Sequence, residues 1–200
     1  MTKRYLLFFL LCMNSCAFIS YSEIIPLVKE VVIGGEDIEL TDEFIAKQPY
    51  SFIRVDLGKG ANIIMVLQKI DSGFYTWISE DEEKITTYNG KIVSTSGLIF
   101  NMNTIDPSKF KFFSSSNYYI GTYNTFLYDP QAFIEQDFLI SMVKQGDGYL
   151  LFEEQITIEV LDESYSNFYW LDSTSGLPRM TKQDIHPKLP TLRIDFIYKY

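Results

Sequence analysis

The chain has 200 residues, with 26 acidic against 17 basic side chains and a net charge of -9. A pI near 4.6 excludes a nucleic-acid binder, which needs a basic footprint on phosphate, and excludes adhesion to anionic lipid by charge. A hydrophobic fraction of 46% with Phe 16, Tyr 14 and Trp 2 excludes a disordered chain and points to one folded domain rich in strands.

The chain opens with an export signal. Lys3 and Arg4 precede the apolar run Tyr5–Met13, which is far shorter than the about 20 residues that span a bilayer and fits the h-region of a secretory signal. Met13-Asn14-Ser15-Cys16 resembles a bacterial lipobox, in which the cysteine is acylated and becomes the first mature residue. This makes Cys16 the expected lipidation site. Ser15 suits the small position before the cysteine, Met13 stands in for the usual Leu, and Asn14 is the departure from the pattern. Cys12 follows bulky Leu11 and fits less well. The alternative is an ordinary signal cut after Ser20-Tyr21-Ser22, which discards Cys16. Residues 1–15 are assigned to the signal and 16–34 to a tether. Cys12 and Cys16 are the two cysteines of the chain, so the mature protein is expected to hold no internal disulfide.

One short helix is expected after Thr41, which can act as N-cap. Asp42 and Glu43 suit the first turn, and Pro49 stops the run after Lys47-Gln48. Ile53, Val55 and Leu57 alternate with Arg54 and Asp56, a period of two. The unbroken run Ile63–Leu67 reads as a strand buried on both faces. Asp71-Ser72-Gly73 is a turn, and Phe74–Ser79 a strand with Tyr75 and Trp77 on one face. Lys84–Tyr88 and Lys91–Thr95 flank Asn89-Gly90, whose two residues supply the positive φ angles of a type I′ hairpin turn. Further strands are expected at Phe110–Phe113, Tyr118–Tyr128, Tyr149–Glu153, Gln155–Asp162, Phe168–Leu171 and Thr191–Tyr200. Gln145–Gly148 and Ser173–Gly176 read as turns. The fold class is mostly all-β: a single domain with a large antiparallel meander sheet and one or two short helices.

Chemistry-bearing motifs are sparse. His186 is the single histidine; it cannot alone build a His/Cys zinc site, and no Gly-x-Ser-x-Gly elbow presents a serine to it. It reads as a loop histidine ahead of a strand. Gly34-Gly35 and Gly58-Lys59-Gly60 lack phosphate-loop spacing and read as turns. Glu80–Glu83 lacks the EF-hand pattern and reads as a solvated turn. No catalytic residue, metal or cofactor is assigned, although a pair of carboxylates acting on a glycosidic bond leaves no fixed sequence spacing and stays open. Tyr75, Trp77, Tyr169 and Trp170 are candidate glycan-contact aromatics. Core packing and cross-strand pairing are the commoner roles of such residues.

An ordered set of landmarks carries a family resemblance. Ile38-Glu39-Leu40-Thr41 and Gln48-Pro49-Tyr50-Ser51 come first, then Leu57–Gly60 and Val66-Leu67. Trp77-Ile78-Ser79 leads into Ile85–Leu98, the most specific part, and Asp106-Pro107 follows. The end carries Tyr169-Trp170-Leu171-Asp172, Gly176-Leu177 and Gln183-Asp184-Ile185-His186-Pro187. Over roughly residues 35 to 200 the chain resembles the YjbF/GfcB family of bacterial lipoproteins encoded with capsule and exopolysaccharide export genes. The resemblance implies a sheet curved like part of a barrel, in a non-enzymatic, periplasm-facing outer-membrane lipoprotein that is an accessory or binding factor in polysaccharide export. Ala17, rather than Asp, after the lipid-bearing cysteine fits sorting to the outer membrane. The expected partners are envelope proteins of the export machinery, with the polysaccharide itself as second candidate and the membrane reached through the lipid anchor. The acidic charge disfavours direct capture of an anionic polymer. The alternatives are a carboxylate-dependent carbohydrate-active enzyme, a structural envelope lipoprotein and, for location, a soluble periplasmic protein.

Overall fold

The computed structural model describes residues 39–58, 62–112 and 118–199. Cys16, the leader, the tether and the Gly34-Gly35 turn lie outside these residues. The expected helix is α1 (Asp42–Lys47). The Thr41 hydroxyl accepts from the Phe44 amide at 3.1 Å, and the helix ends on Gln48, before Pro49.

Twelve strands follow: β1 (Phe52–Asp56), β2 (Ile63–Asp71), β3 (Phe74–Ile78), β4 (Lys84–Tyr88), β5 (Lys91–Ser96), β6 (Met102–Ile105), β7 (Tyr118–Tyr128), β8 (Gln131–Gly146), β9 (Tyr149–Ile158), β10 (Glu163–Asp172), β11 (Pro178–Gln183) and β12 (Leu192–Ile197). Each pairs antiparallel with the next. The expected curved meander goes one step further and closes, because β1 pairs with β12. At this seam Arg54 stands opposite Asp195 and meets its carboxylate at 2.6 Å, while Arg193 holds the other oxygen at 3.0 Å.

Several local readings change. Of the run Ile63–Leu67 only Met65 is buried, because a closed barrel has one inner face and a strand in it alternates between inside and outside. Phe110 and Phe112 form no strand. After a 3-10 turn at Pro107–Lys109, Phe110 turns into the barrel with 1% exposure, and Phe112 packs on Phe152 and Tyr169. Strands β6, β8 and β11 were not expected. β9 is continuous across Glu154, where the sequence suggested a break, and β10 begins five residues before Phe168.

The register sorts the connections between two ends. One end holds α1 and the β2–β3, β4–β5, β8–β9 and β10–β11 turns; the other holds the β3–β4, β5–β6, β7–β8, β9–β10 and β11–β12 connections. The first end is stoppered by Phe110 and by the β4–β5 hairpin tip. Asn89 and Gly90 have φ of 50° and 82°, as a type I′ turn requires, and the Asn89 amide donates to the Phe110 carbonyl at 3.3 Å. A Cβ on Gly90 would lie 2.9 Å from the Pro178 Cβ, so the tip is folded tightly against β11. Lys199 adds a clasp, donating to the Ile45 carbonyl of α1 at 2.6 Å.

Candidate functional site

The four candidate aromatics are not gathered on one surface. Trp77 and Tyr169 are fully enclosed, at 0% exposure, and the Trp77 indole donates to the Thr87 hydroxyl at 3.0 Å. Tyr75 is half-buried and stacks on Trp77 with ring centroids 6.0 Å apart. Trp170 follows Tyr169 on β10 and so points the opposite way, to the outer wall, where it lies beside Phe168.

The barrel interior instead holds a polar cluster that the sequence reading missed. Glu154 of β9, at 0% exposure, accepts from four groups. Lys91 Nζ donates to its two oxygens at 2.8 and 3.0 Å, Tyr123 at 3.1 Å, Asn167 at 2.9 Å and Tyr169 at 2.7 Å. Lys91 also donates to the Tyr123 hydroxyl at 2.8 Å and lies over the Phe110 and Tyr123 rings. Burial pushes the Lys91 ammonium down against the pull of Glu154. Burial, with the Glu154 charge second, pushes the Tyr123 and Tyr169 phenols well up, so both stay protonated donors. The void beside the cluster is about 10 Å³, room for one water at most. Glu154 is therefore a sealed, fully engaged carboxylate.

A polar ladder spans the wall towards the open end. The Thr104 and Thr125 hydroxyls meet at 3.4 Å, Thr125 donates to the Gln136 carbonyl at 2.7 Å, and the Gln136 amide donates to the Tyr165 hydroxyl at 2.7 Å. Asn167 links this level to the cluster below, since its carbonyl accepts from the Asp184 amide at 2.8 Å while its amide serves Glu154. Above the ladder lies a cleft of about 530 Å³, within the about 300–1,000 Å³ usual for small-ligand sites. Thr125, Gln136 and Tyr165 reach it from the ladder, Asp162 from the β9–β10 connection, Glu163 from the start of β10, and Asp184 and His186 from the β11–β12 loop.

His186 is more than a loop residue. It is buried, at 4% exposure, and stacks on Phe100 of the β5–β6 connection at 4.9 Å. Its Nδ1 accepts from the Lys188 amide at 3.1 Å, so in the neutral ring the proton sits on Nε2. Nε2 itself is buried. Burial holds the ring below the usual histidine range; a hydrogen bond to the Asp129 backbone opposes this, the Lys188 charge adds to it and the Asp129 charge opposes it.

Residues 27–118 and 140–197 match the family described as group 4 capsule polysaccharide lipoprotein gfcB, YjbF. The chain is 22% identical over 188 residues to the uncharacterized lipoprotein GfcB of Escherichia coli K12, covering 82% of this chain and 83% of that protein. It is 28% identical over 64 residues to the uncharacterized lipoprotein YjbF of the same organism, covering 32% and 30% respectively. The crystal structure of the hypothetical lipoprotein YmcC from Escherichia coli K12 has the same fold, with a TM-score of 0.68 at 18% identity over 80% of this chain and 90% of that one.

Proposed function

This chain belongs to the YjbF family of group 4 capsule polysaccharide lipoproteins, and from that membership we propose that it is a non-enzymatic accessory or binding factor in capsule or exopolysaccharide export, held at the periplasmic face of the outer membrane by a lipid on Cys16. The family match carries this reading, and two features of the barrel support it. Glu154, the carboxylate at the centre of the barrel, is saturated by four donors and walled off, which suits a scaffold and leaves it no route to a polymer. Along β8 and β9, Ile134, Phe138, Ile140, Phe152 and Ile156 face inward while Glu135, Asp137, Glu153 and Gln155 face outward, the reverse of the alternation expected in the strands of a membrane-spanning barrel. Attachment would then fall to the amino-terminal lipid. A clean deletion of the gene should lower cell-surface polysaccharide without slowing growth, and resupplying the full chain should restore it. Unchanged surface polysaccharide would contradict the proposal.

A further inference from the structure

We propose that the outer wall of β7 and β8, beside the β9–β10 connection, is a docking face for a basic protein surface with an apolar centre, carried by another envelope protein. The proposal rests on the export reading only for where the partner is sought; the face itself supplies the chemistry. Phe126 and Phe133 stand directly opposite one another across the two strands. Both point outward, because their neighbours Leu127 and Ile134 point in. Tyr128 sets its ring edge-on against Phe126 at 5.0 Å. Phe133 is 61% exposed and Tyr128 50%. Further along the same face of β8, Glu135 and Asp137 join Glu159 and Val160 around a groove of about 390 Å³, and Val160 is 80% exposed. Apolar side chains left together in water mark a contact surface, and rings held by a sheet are the usual anchors of one. Charge decides what covers them. Among the described residues, no lysine or arginine pairs with Glu135, Asp137 or Glu159. A second copy using the same face would set these carboxylates against their own copies. Phospholipid phosphates and an acidic polymer would be repelled in the same way. A surface bearing lysine or arginine gains twice: its cations meet the carboxylates at the rim, and its apolar side chains cover Phe133 and Tyr128.

The full-length chain would be expressed in its native strain with photoreactive benzoylphenylalanine in place of Phe133, or in place of Tyr50, which is exposed at the stoppered end. Illumination should join the first to one envelope protein, through a peptide that carries lysine or arginine, and the second should not give that adduct. Glu135→Lys together with Asp137→Lys should cut the yield by about tenfold or more, the cost of like charges set face to face. Glutamate in place of the basic residues of the contacted peptide should then bring the adduct back. Phe133, Glu135 and Asp137 are exposed, so the melting temperature should hold in every variant. If the double variant fails to fold, Glu135→Lys alone must show the same loss and the same rescue. No adduct, an adduct with a second copy, with phospholipid or within the chain itself, or one indifferent to the charge reversals, would overturn the docking face. If the charge-dependent adduct forms and deletion of the gene leaves surface polysaccharide unchanged, the docking face stands and the export reading fails. If deletion lowers surface polysaccharide and no such adduct forms, the reverse holds.

Discussion

Glu154 shows how much a single inward side chain decides. Its two oxygens serve an ammonium, two phenols and an amide, so each donor depends on the others being there. Glu154→Gln leaves the Lys91 ammonium without its counter-charge inside the barrel and should lower stability by about 3–5 kcal/mol, read as a fall in the denaturant midpoint. Lys91→Met should cost less, because the carboxylate keeps three neutral donors. Equal losses in the two variants would mean that the pair does not carry the cluster. His186 makes a second prediction at this scale. Its folded pKa is depressed below the unfolded value of about 6.5, so the folded state binds the proton less readily than the unfolded chain. Its contribution is present in full above about 6.5 and is lost as pH falls through the folded value. Wild type should therefore lose stability on acidification through this window, and His186→Gln should lose measurably less. Parallel pH profiles would contradict it.

The β4–β5 hairpin shows sequence and packing acting on one residue. Gly90 needs a positive φ and also a missing Cβ, because Pro178 lies where that atom would go. Gly176 has a φ of 71° but nothing within 4 Å of its Cβ position. Gly176→Ala should cost about 1 kcal/mol for backbone strain alone, and Gly90→Ala distinctly more, since backbone strain of about 1–3 kcal/mol is joined by a clash. Equal changes in melting temperature would argue against the folded-over tip. This hairpin and α1 were legible in the sequence, because turn and cap chemistry is local. Strands β8 and β11 were not, and β9 was legible only as two pieces broken at Glu154; the reason is the polar residues placed inside. Period-two reading assumes apolar residues inside, but Gln136, Glu154, Thr181 and Gln183 are inward and buried, while Phe133 is outward and 61% exposed. Each looks like a break or a turn in a linear scan. The candidate site was hidden for the same reason: Lys91 reads as a hairpin polar residue, and its partner Glu154 is 63 positions away. Trp77 and Tyr169 were visible as aromatics, but only closure of the sheet turns them inward.

For the whole molecule, the barrel has a stoppered end and an open, acidic end, and in the proposed reading its attachment to the envelope would fall to residues before it. If Cys16 carries the lipid, Cys16→Ser should leave an unprocessed or mis-sorted precursor, while wild type incorporates labelled fatty acid and fractionates with the outer membrane. Unlabelled, soluble wild type beginning near Glu23 would contradict the anchor and favour an ordinary signal. Function divides at the same scale. An export factor changes where the polymer is, and a glycosidase built on Asp162, Glu163 or Asp184 changes what it is, since general-acid or nucleophilic carboxylates cut chains. The most direct measurement is the amount and chain-length distribution of polysaccharide in the cell-surface and periplasmic fractions of a clean deletion strain. The account predicts less polymer at the surface, retained polymer in the periplasm and an unaltered length distribution. Normal surface polymer, or a shifted length distribution restored by wild type but not by a folded carboxylate variant, would contradict it.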